Sequence, residues 1–153
     1  MDTSAIITAI VAIYGAALST YIFITNLRQR RRQLTVTLTK GFRTSAQGLS
    51  PPMFIITVAN PGNRAVSIDT PYIELPDRAT LVWLEPLSDV RFPYELEEGK
   101  NCHVWAEIEE VTGELVKKGH SGTVKLTAKV RDRTGKIYSS RKPLTLDLDE
   151  ESK

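Results

Sequence analysis

A single apolar run near the N-terminus constrains the fold more than any other feature of this sequence. The 21 residues from Ala5 to Thr25 include 16 hydrophobic residues and no charged residue. As an α-helix this run would be about 31 Å long, which is close to the thickness of the hydrocarbon core of a bilayer. The sequence therefore predicts a transmembrane helix over residues 4–26, preceded by a short tail of residues 1–3.

Two other structures compete with a membrane helix. A buried core helix of this length normally has a polar face, and this run has none. A cleaved signal peptide normally begins with basic residues and has a shorter apolar core. Here the charged side chain that precedes the run is the acidic Asp2, and apolar residues continue through Ile24. The hydroxyl groups of Thr8, Ser19 and Thr20 are compatible with a membrane helix, because each can donate to a carbonyl one turn back. We therefore favour a membrane anchor.

Basic residues directly after the run predict the side of the membrane on which the rest of the chain lies. Within a basic segment of residues 27–33 they are Arg28, Arg30, Arg31 and Arg32. Because basic residues beside a membrane helix stay cytoplasmic, we expect a single-pass protein of the cell membrane with its N-terminus outside and the following domain in the cytoplasm. The one cysteine, Cys102, excludes an intrachain disulfide and agrees with a reducing compartment.

The charge balance favours a lipid contact for these arginines over a nucleic-acid contact. Four of the 20 basic residues and one of the 18 acidic residues lie in residues 1–32, so the remainder of the chain has a net charge of −1. Nucleic-acid binding depends largely on an excess of basic side chains. We interpret the four arginines as membrane-boundary charges that meet anionic headgroups of the lipid bilayer.

Small residues recur along one face of the predicted helix at spacings of three and four. They are Ala5, Ala9, Ala12, Gly15, Ala16 and Ser19. Such stripes allow two helices to approach closely, which predicts possible helix–helix packing and a homo-oligomer within the membrane. The alternative is that alanine is simply common in membrane helices, and the sequence leaves both open.

After Gln33 the hydrophobic pattern changes to a period of two, which is typical of half-buried strands. Strands are predicted at residues 34–42, 54–58, 66–68, 72–75, 80–84, 103–106, 124–131, 136–140 and 144–148. Turns are predicted at Asn60–Asn63 and Asp132–Gly135, and a short helix is predicted over Glu107–Lys118, ended by Gly119. The stretches Thr44–Pro52 and Pro86–Pro93 are predicted to be irregular. This pattern predicts an antiparallel β-sandwich over residues 34–148. An acidic tail is assigned to residues 149–153, and the acidic stretch Asp147–Glu151 is expected to be frayed and solvated.

Several segments resemble parts of immunoglobulin-like domains. They are the strand and turn Ile56-x-Val58-x-Asn60-x-Gly62, the segment Val66-x-Ile68, the turn Leu96–Gly99 before Val104, and the hairpin from Val124 to Lys136. The whole layout is similar to uncharacterised prokaryotic proteins with one N-terminal anchor and a small sandwich. The resemblance implies an all-β, immunoglobulin-like antiparallel sandwich with one short helix. It brings no catalytic residues to this chain, which lacks the paired cysteines of antibody domains.

The sequence gives no indication of catalysis or of a cofactor. Cys102 and His103 are adjacent, so in a strand they would point to opposite faces, and His120 alone adds too little for a metal site. Glu107, Glu109, Glu110 and Glu114 have the spacing of a solvated helix face. No P-loop, GxGxxG, GxSxG or HExxH pattern is present. We therefore expect no enzyme activity, no catalytic, cofactor-binding or metal residues, and no nucleic-acid partner.

Two functional hypotheses remain. In the first, the chain is a membrane-anchored binding or scaffolding module that displays its cytoplasmic sandwich to a protein partner. Its candidate contact loops are Thr44–Pro52, Trp83–Tyr94 and Asp132–Gly135, because loops at the ends of a sandwich are common contact surfaces. Trp83 and Trp105 are expected to be core or edge aromatics rather than ligand platforms. In the second hypothesis, the chain is a ligand-responsive membrane effector that oligomerises through its transmembrane helix.

Overall fold

The computed structural model of the chain describes residues 2–29, 33–46 and 48–151. The chain divides into two compact units, Met1–Arg32 and Gln33–Lys153. The first unit contains one helix, and the second contains all of the strands.

The N-terminal unit is built on helix α1 (Thr3–Gln29). Its segment Thr3–Leu27 is long and apolar enough to cross a membrane. The hydroxyls of Thr8 and Thr20 donate to carbonyl oxygens one turn back, at 2.8 and 2.9 Å. These bonds satisfy both hydroxyls within the helix, as the sequence predicts, so the polar residues do not interrupt its apolar surface.

The predicted membrane-boundary arginines cannot be placed in the same way. The side chain of Arg28, and the whole of Arg30, Arg31 and Arg32, lie outside the described residues. Their role at the membrane boundary stays a prediction.

Short strands make up most of the second unit. In chain order, its elements are β1 (Thr35–Gly41), β2 (Thr44–Ser45), β3 (Gly48–Leu49), β4 (Met53–Ala59), β5 (Val66–Ile68), β6 (Tyr72–Glu74), β7 (Thr80–Leu81), β8 (Leu87–Ser88), β9 (Tyr94–Leu96), β10 (Asn101–Glu107), α2 (Ile108–Lys117), β11 (Thr123–Arg131), β12 (Ile137–Ser139), β13 (Leu144–Asp147) and α3 (Leu148–Glu151).

Most of these strands belong to two antiparallel sheets. One sheet has four strands in the order β1-β4-β10-β8, and the other has five, in the order β12-β11-β6-β7 with β13 also paired to β11. Two short antiparallel pairs, β2 with β3 and β5 with β9, lie outside them. The predicted succession of an apolar helix and mostly antiparallel β structure is confirmed, and the two sheets are compatible with a sandwich.

The core lies where the inner faces of both sheets contribute to one cluster. Phe54 and Ile56 of β4 are fully buried in it, as are Leu126 and Ala128 of β11. The period-two pattern accounts for this, since alternate residues of each strand face the same side. Burying these side chains is the main stabilising contribution to the unit.

Helix α2 joins the two sheets between β10 and β11. Its apolar side chains Ile108, Val111 and Leu115 are buried, whereas Glu109 and Glu110 are exposed in its first turn. Gly119 ends the helix with a φ of 83°, and the N–H of His120 donates to the carbonyl of Leu115 at 3.0 Å. A residue with positive φ directly after the helix permits this bond, and glycine adopts it without strain. The predicted helix and its glycine stop are confirmed.

Four stretches differ from the sequence predictions. Strands of only two residues occur in both stretches predicted to be irregular. They are β2 and β3 within Thr44–Pro52, and β8 within Pro86–Pro93. Strands this short have no periodic signal in the sequence. Strand β7 ends at Leu81 rather than at residue 84, and it pairs with β6 only at Ile73 and Glu74. The prediction that Asp147–Glu151 is frayed is wrong, since β13 ends at Asp147, α3 spans Leu148–Glu151 and Leu148 is buried.

Candidate interaction surface on the four-stranded sheet

Strand β10 separates its buried apolar side chains from His103 and Trp105 by simple alternation. Cys102, Val104 and Ala106 are buried in the core. His103 and Trp105, which alternate with them, lie on the opposite face and are half-buried. This face of the four-stranded sheet, away from the core, is called the outer face here.

Neighbouring strands extend the outer face into two rows. Trp105 lies between Ile55 of β4 and Leu87 of β8, and Thr39 of β1 follows Ile55 across the sheet. In the adjacent row, His103 lies opposite Thr57, which lies opposite Thr37. Leu87 is 45% exposed although it is a large apolar side chain. The first row is therefore an aromatic and aliphatic strip that solvent can reach.

Asp89 fixes His103 at one end of the outer face. The backbone N–H of His103 donates to Asp89 Oδ1 at 2.8 Å, and His103 Nδ1 lies 2.9 Å from Asp89 Oδ2. The hydroxyl of Ser88 donates to the carbonyl of Val90, which holds the turn that carries Asp89. The imidazole also stacks on the indole of Trp105, with ring centroids 5.8 Å apart. Both rings therefore have a defined orientation before any partner binds.

Arg43 also contacts the indole ring of Trp105. Its guanidinium lies 5.3 Å from the centroid of the indole ring, within the range of a cation–π contact. Arg43 stands at the base of the β2–β3 hairpin, where its N–H donates to Ser50 Oγ and its carbonyl accepts from the N–H of Ser50, both at 2.8 Å. These two bonds close the hairpin and place the guanidinium beside the strip.

Gly41 lies directly beside the Ile55 side chain of the strip. A Cβ at position 41 would lie 2.8 Å from Ile55 Cδ1, so a larger residue would displace the end of the Ile55 side chain.

Two of the three loops predicted as contact surfaces converge on the outer face. Thr44–Pro52 contributes Ser50, which bonds to Arg43, and Trp83–Tyr94 contributes Leu87 and Asp89. Trp105 lies on this face and not in the core, whereas Trp83 packs against the core as predicted. Sequence reasoning missed Arg43, and it did not connect Leu87 and Asp89 with Trp105 and His103, because their proximity depends on strand pairing. The alternation of residues 101–107 could have indicated that His103 and Trp105 share a face.

The third predicted loop, Asp132–Gly135, is held by its own hydrogen bonds. Asp132 is only 1% exposed, and its Oδ1 accepts bonds from the N–H groups of Thr134 and Lys136 and from the hydroxyl of Thr134. Burial acts to raise the pKa of Asp132, but these hydrogen bonds and one from Tyr138 outweigh it and hold the pKa below its ordinary value. The turn is a stabilising element of the hairpin.

The thiol of Cys102 and the imidazole of His120, considered above as a possible reactive pair, do not lie together in a reactive site. Cys102 is fully buried, and burial, together with the charge of Asp89, raises the pKa of its thiol to about 12. His120 lies instead near Asp77, with Nε2 to Oδ2 at 3.7 Å. A bond from the N–H of Ala79 lowers the pKa of Asp77. Among the described residues, no group of three His, Cys, Asp or Glu side chains could hold a metal ion.

The predicted helix-packing residues all lie on α1. They are Ala5, Ala9, Ala12, Gly15, Ala16 and Ser19, and each is exposed. A Cβ at Gly15 would meet nothing within 4 Å in the described structure. Their packing against a second helix stays a prediction.

Comparisons with protein-family models and with curated proteins found no match to this chain.

Proposed function

We propose that this chain is a membrane-anchored binding module that displays an immunoglobulin-like sandwich in the cytoplasm to a protein partner, and that the outer face around Trp105 is its contact surface. The proposal is one of binding rather than catalysis. The observation that carries it is the solvent-accessible strip of Trp105, Leu87 and Ile55, bordered by Arg43 and the His103–Asp89 pair.

The order of the strands supports an immunoglobulin-like topology. In such domains one sheet has the order A-B-E-D and the other G-F-C, with C′ next to C in variable-type domains. The orders β1-β4-β10-β8 and β12-β11-β6-β7 agree with these when the strands are taken in chain sequence. Helix α2 would then replace the corner between strands E and F.

The placement in a membrane is supported by α1 and by its flanks. Its Thr3–Leu27 segment has the length and composition of a span. The four arginines that follow favour a cytoplasmic domain, and the reduced state expected of Cys102 agrees with that side. A protease added outside intact spheroplasts should leave the domain uncut, and digestion of the domain would contradict this orientation.

The composition of the outer face matches that of protein interfaces. Tryptophan and arginine are enriched among residues that dominate binding energies, and such residues are ringed by contacts that exclude water. Here Trp105 is already oriented by its contacts with Arg43 and His103. The side chains of this protein would therefore lose little conformational entropy when a partner binds.

A site-specific crosslinking experiment tests the contact surface in native membranes. A photoreactive phenylalanine derivative replaces Leu87 in the full chain, and the same derivative at Val116 is the control, since both side chains are exposed and apolar. We expect a discrete crosslinked product from position 87 that is lost when Trp105→Ala or Arg43→Ala is added. Equal products from both positions, or products that survive both substitutions, would contradict the proposal.

A second candidate function uses the small-residue face of α1. A ligand-responsive effector would oligomerise through this face, on which Ala12 and Ala16 are exposed. Replacing both by Leu should weaken association of the full chain in a membrane reporter, while Ile13→Leu should not. A helix that stays monomeric in both forms would exclude this function and leave the binding module standing.

A further inference from the structure

The edges of the two sheets differ in length. Strand β1 forms one edge of the four-stranded sheet with 7 residues, whereas β8 at its other edge has 2. The edges of the five-stranded sheet are also short, with 2 residues in β7, 3 in β12 and 4 in β13. Short edge strands prevent unwanted pairing with other chains. Strand β1 is not shortened in this way.

An open groove runs beside β1. Its volume is about 320 Å³, and it is lined by Thr35–Thr39 on one side and by Ser140, Arg141 and Lys142 on the other. Ser140 is a fixed point in the second wall, because its N–H donates to the carbonyl of Ala128 at 2.8 Å and its hydroxyl accepts from the N–H of Ala128 at 3.2 Å. The groove therefore has a strand edge as one wall and an anchored basic loop as the other.

The backbone of β1 can pair on its free side. In an antiparallel pair, alternate residues direct their N–H and C=O groups away from the partner strand. Within the described residues, β1 pairs with β4 alone, and no other backbone hydrogen bond reaches Thr35–Thr39. The outward side chains Thr37 and Thr39 are exposed. This is the geometry that an added strand requires.

The charge beside the groove indicates the kind of strand that fits. Arg141 and Lys142 are exposed, and neither forms an ion pair with any carboxylate among the described residues. A second copy paired through its own β1 would bring the same two cations toward this groove, and like charges would oppose it. Carboxylates on an incoming strand would instead be attracted.

We infer that the β1 edge and the Arg141–Lys142 loop form a docking groove for an extended acidic segment of a partner protein, which binds by adding a strand to the four-stranded sheet. Its backbone pairs with β1, and its carboxylates face Arg141 and Lys142. The groove shares Thr37 and Thr39 with the outer face, but it binds through the backbone edge of β1 and the Arg141–Lys142 loop rather than through Trp105 and Arg43. A failure of the docking groove would therefore leave the proposed contact surface around Trp105 intact, and the reverse also holds.

Binding of synthetic peptides to the full chain tests this inference. The chain is placed in nanodiscs of zwitterionic lipid, and the probe is a fluorescent peptide in which valine alternates with glutamate. We expect saturable binding by anisotropy that weakens with salt, and additional protection from hydrogen exchange at alternate amides of β1. A peptide with lysine in place of glutamate, and one with alternate backbone nitrogens methylated, should not bind.

Charge-reversal variants localise the binding. Arg141→Glu combined with Lys142→Glu should weaken binding about tenfold or more, since two attractions become repulsions. Arg64→Glu combined with Lys100→Glu, an equal charge change at exposed positions outside the groove, should have little effect, as should Trp105→Ala. The inference is overturned if the acidic peptide does not bind, if the lysine or methylated peptide binds equally well, if the two double variants behave alike, or if β1 amides gain no protection.

Discussion

The two faces of the four-stranded sheet carry the same strands but different chemistry. On β10 the inner side chains Cys102, Val104 and Ala106 are 0–4% exposed, whereas His103 and Trp105 between them remain accessible. The inner face gains stability from apolar burial, which is insensitive to the direction of each contact. The outer face is held by directed contacts, such as Asp89 to His103 and Arg43 to Trp105. Apolar burial and directed polar contacts thus lie on opposite sides of one strand, and the proposed recognition uses the second.

The largest expected contrast is in the reactivity of adjacent thiols on β10. Cys102 is buried and its pKa is about 12, so almost none of it is thiolate at neutral pH. A thiol introduced by His103→Cys in a Cys102→Ala background would face the outer surface, with a pKa near 8.5. We expect it to react with iodoacetamide at least about a thousandfold faster than Cys102, given the thiolate fractions.

The labelling rate is measured by mass spectrometry on the folded full chain in detergent. Labelling of both thiols after denaturation is the control for reagent access. Comparable rates in the folded protein would show that the two faces of β10 are not separated as described.

Truncating the inner face should cost more stability than truncating the outer face. Phe54 is fully buried, and Phe54→Ala should lower the free energy of unfolding by about 3–5 kcal/mol, because it leaves a cavity in the core. Thr37→Ala, at an exposed position of the neighbouring strand, should change it by less than about 0.5 kcal/mol. Urea unfolding of the full chain in detergent, followed by circular dichroism, measures both changes. Equal losses would contradict the division of roles.

Directed contacts also occur in the interior, where the buried carboxylate of Asp132 accepts several hydrogen bonds. Asp132→Ala removes the acceptor of three hydrogen bonds and should lower the free energy of unfolding by about 2 kcal/mol at neutral pH. The pKa of Asp132 in the folded chain lies below its ordinary value of 3.8, so its ionised form stabilises the fold above that pH. This contribution is lost as the pH falls below 3.8 through the folded pKa.

Asp132→Asn is the matched variant for this pH dependence. It retains one oxygen acceptor but does not titrate, so unfolding curves should show less acid destabilisation below about pH 4 than in the unaltered chain. An unchanged acid profile would mean that Asp132 is not the group responsible.

The sequence predicted the parts of this architecture that depend on local pattern. The apolar run gave α1, the glycine after Lys118 gave the end of α2, and the Asp132–Gly135 turn gave the last long hairpin. Each of these depends on residues close together in the chain. The periodicity of two likewise identified which side chains of β4 and β11 are buried.

The outer face could not be predicted in the same way. Arg43, Leu87 and Asp89 meet Trp105 and His103 only because β8 and β1 lie on opposite sides of the β4–β10 pair. The two-residue strand β8 has no periodic signal, so its pairing with β10 was hidden in a stretch predicted to be irregular. The groove beside β1 could not be predicted for the same reason, because it depends on the approach of β1 and the Arg141–Lys142 loop, which are far apart in the sequence. Long-range register, rather than residue type, therefore determines both candidate surfaces.

Among the contacts described above, the polar pair of the outer face is expected to contribute least to stability. Asp89 and His103 retain 37% and 33% of their side-chain exposure, so solvent screens their interaction. Asp89→Ala should therefore lower the free energy of unfolding by only about 0.2–1 kcal/mol, far less than Phe54→Ala. The same variant should weaken the crosslink from position 87, because the imidazole loses the carboxylate that orients it beside Trp105. A loss of stability comparable to that of a core truncation would mean that the outer face supports the fold as strongly as the inner face does.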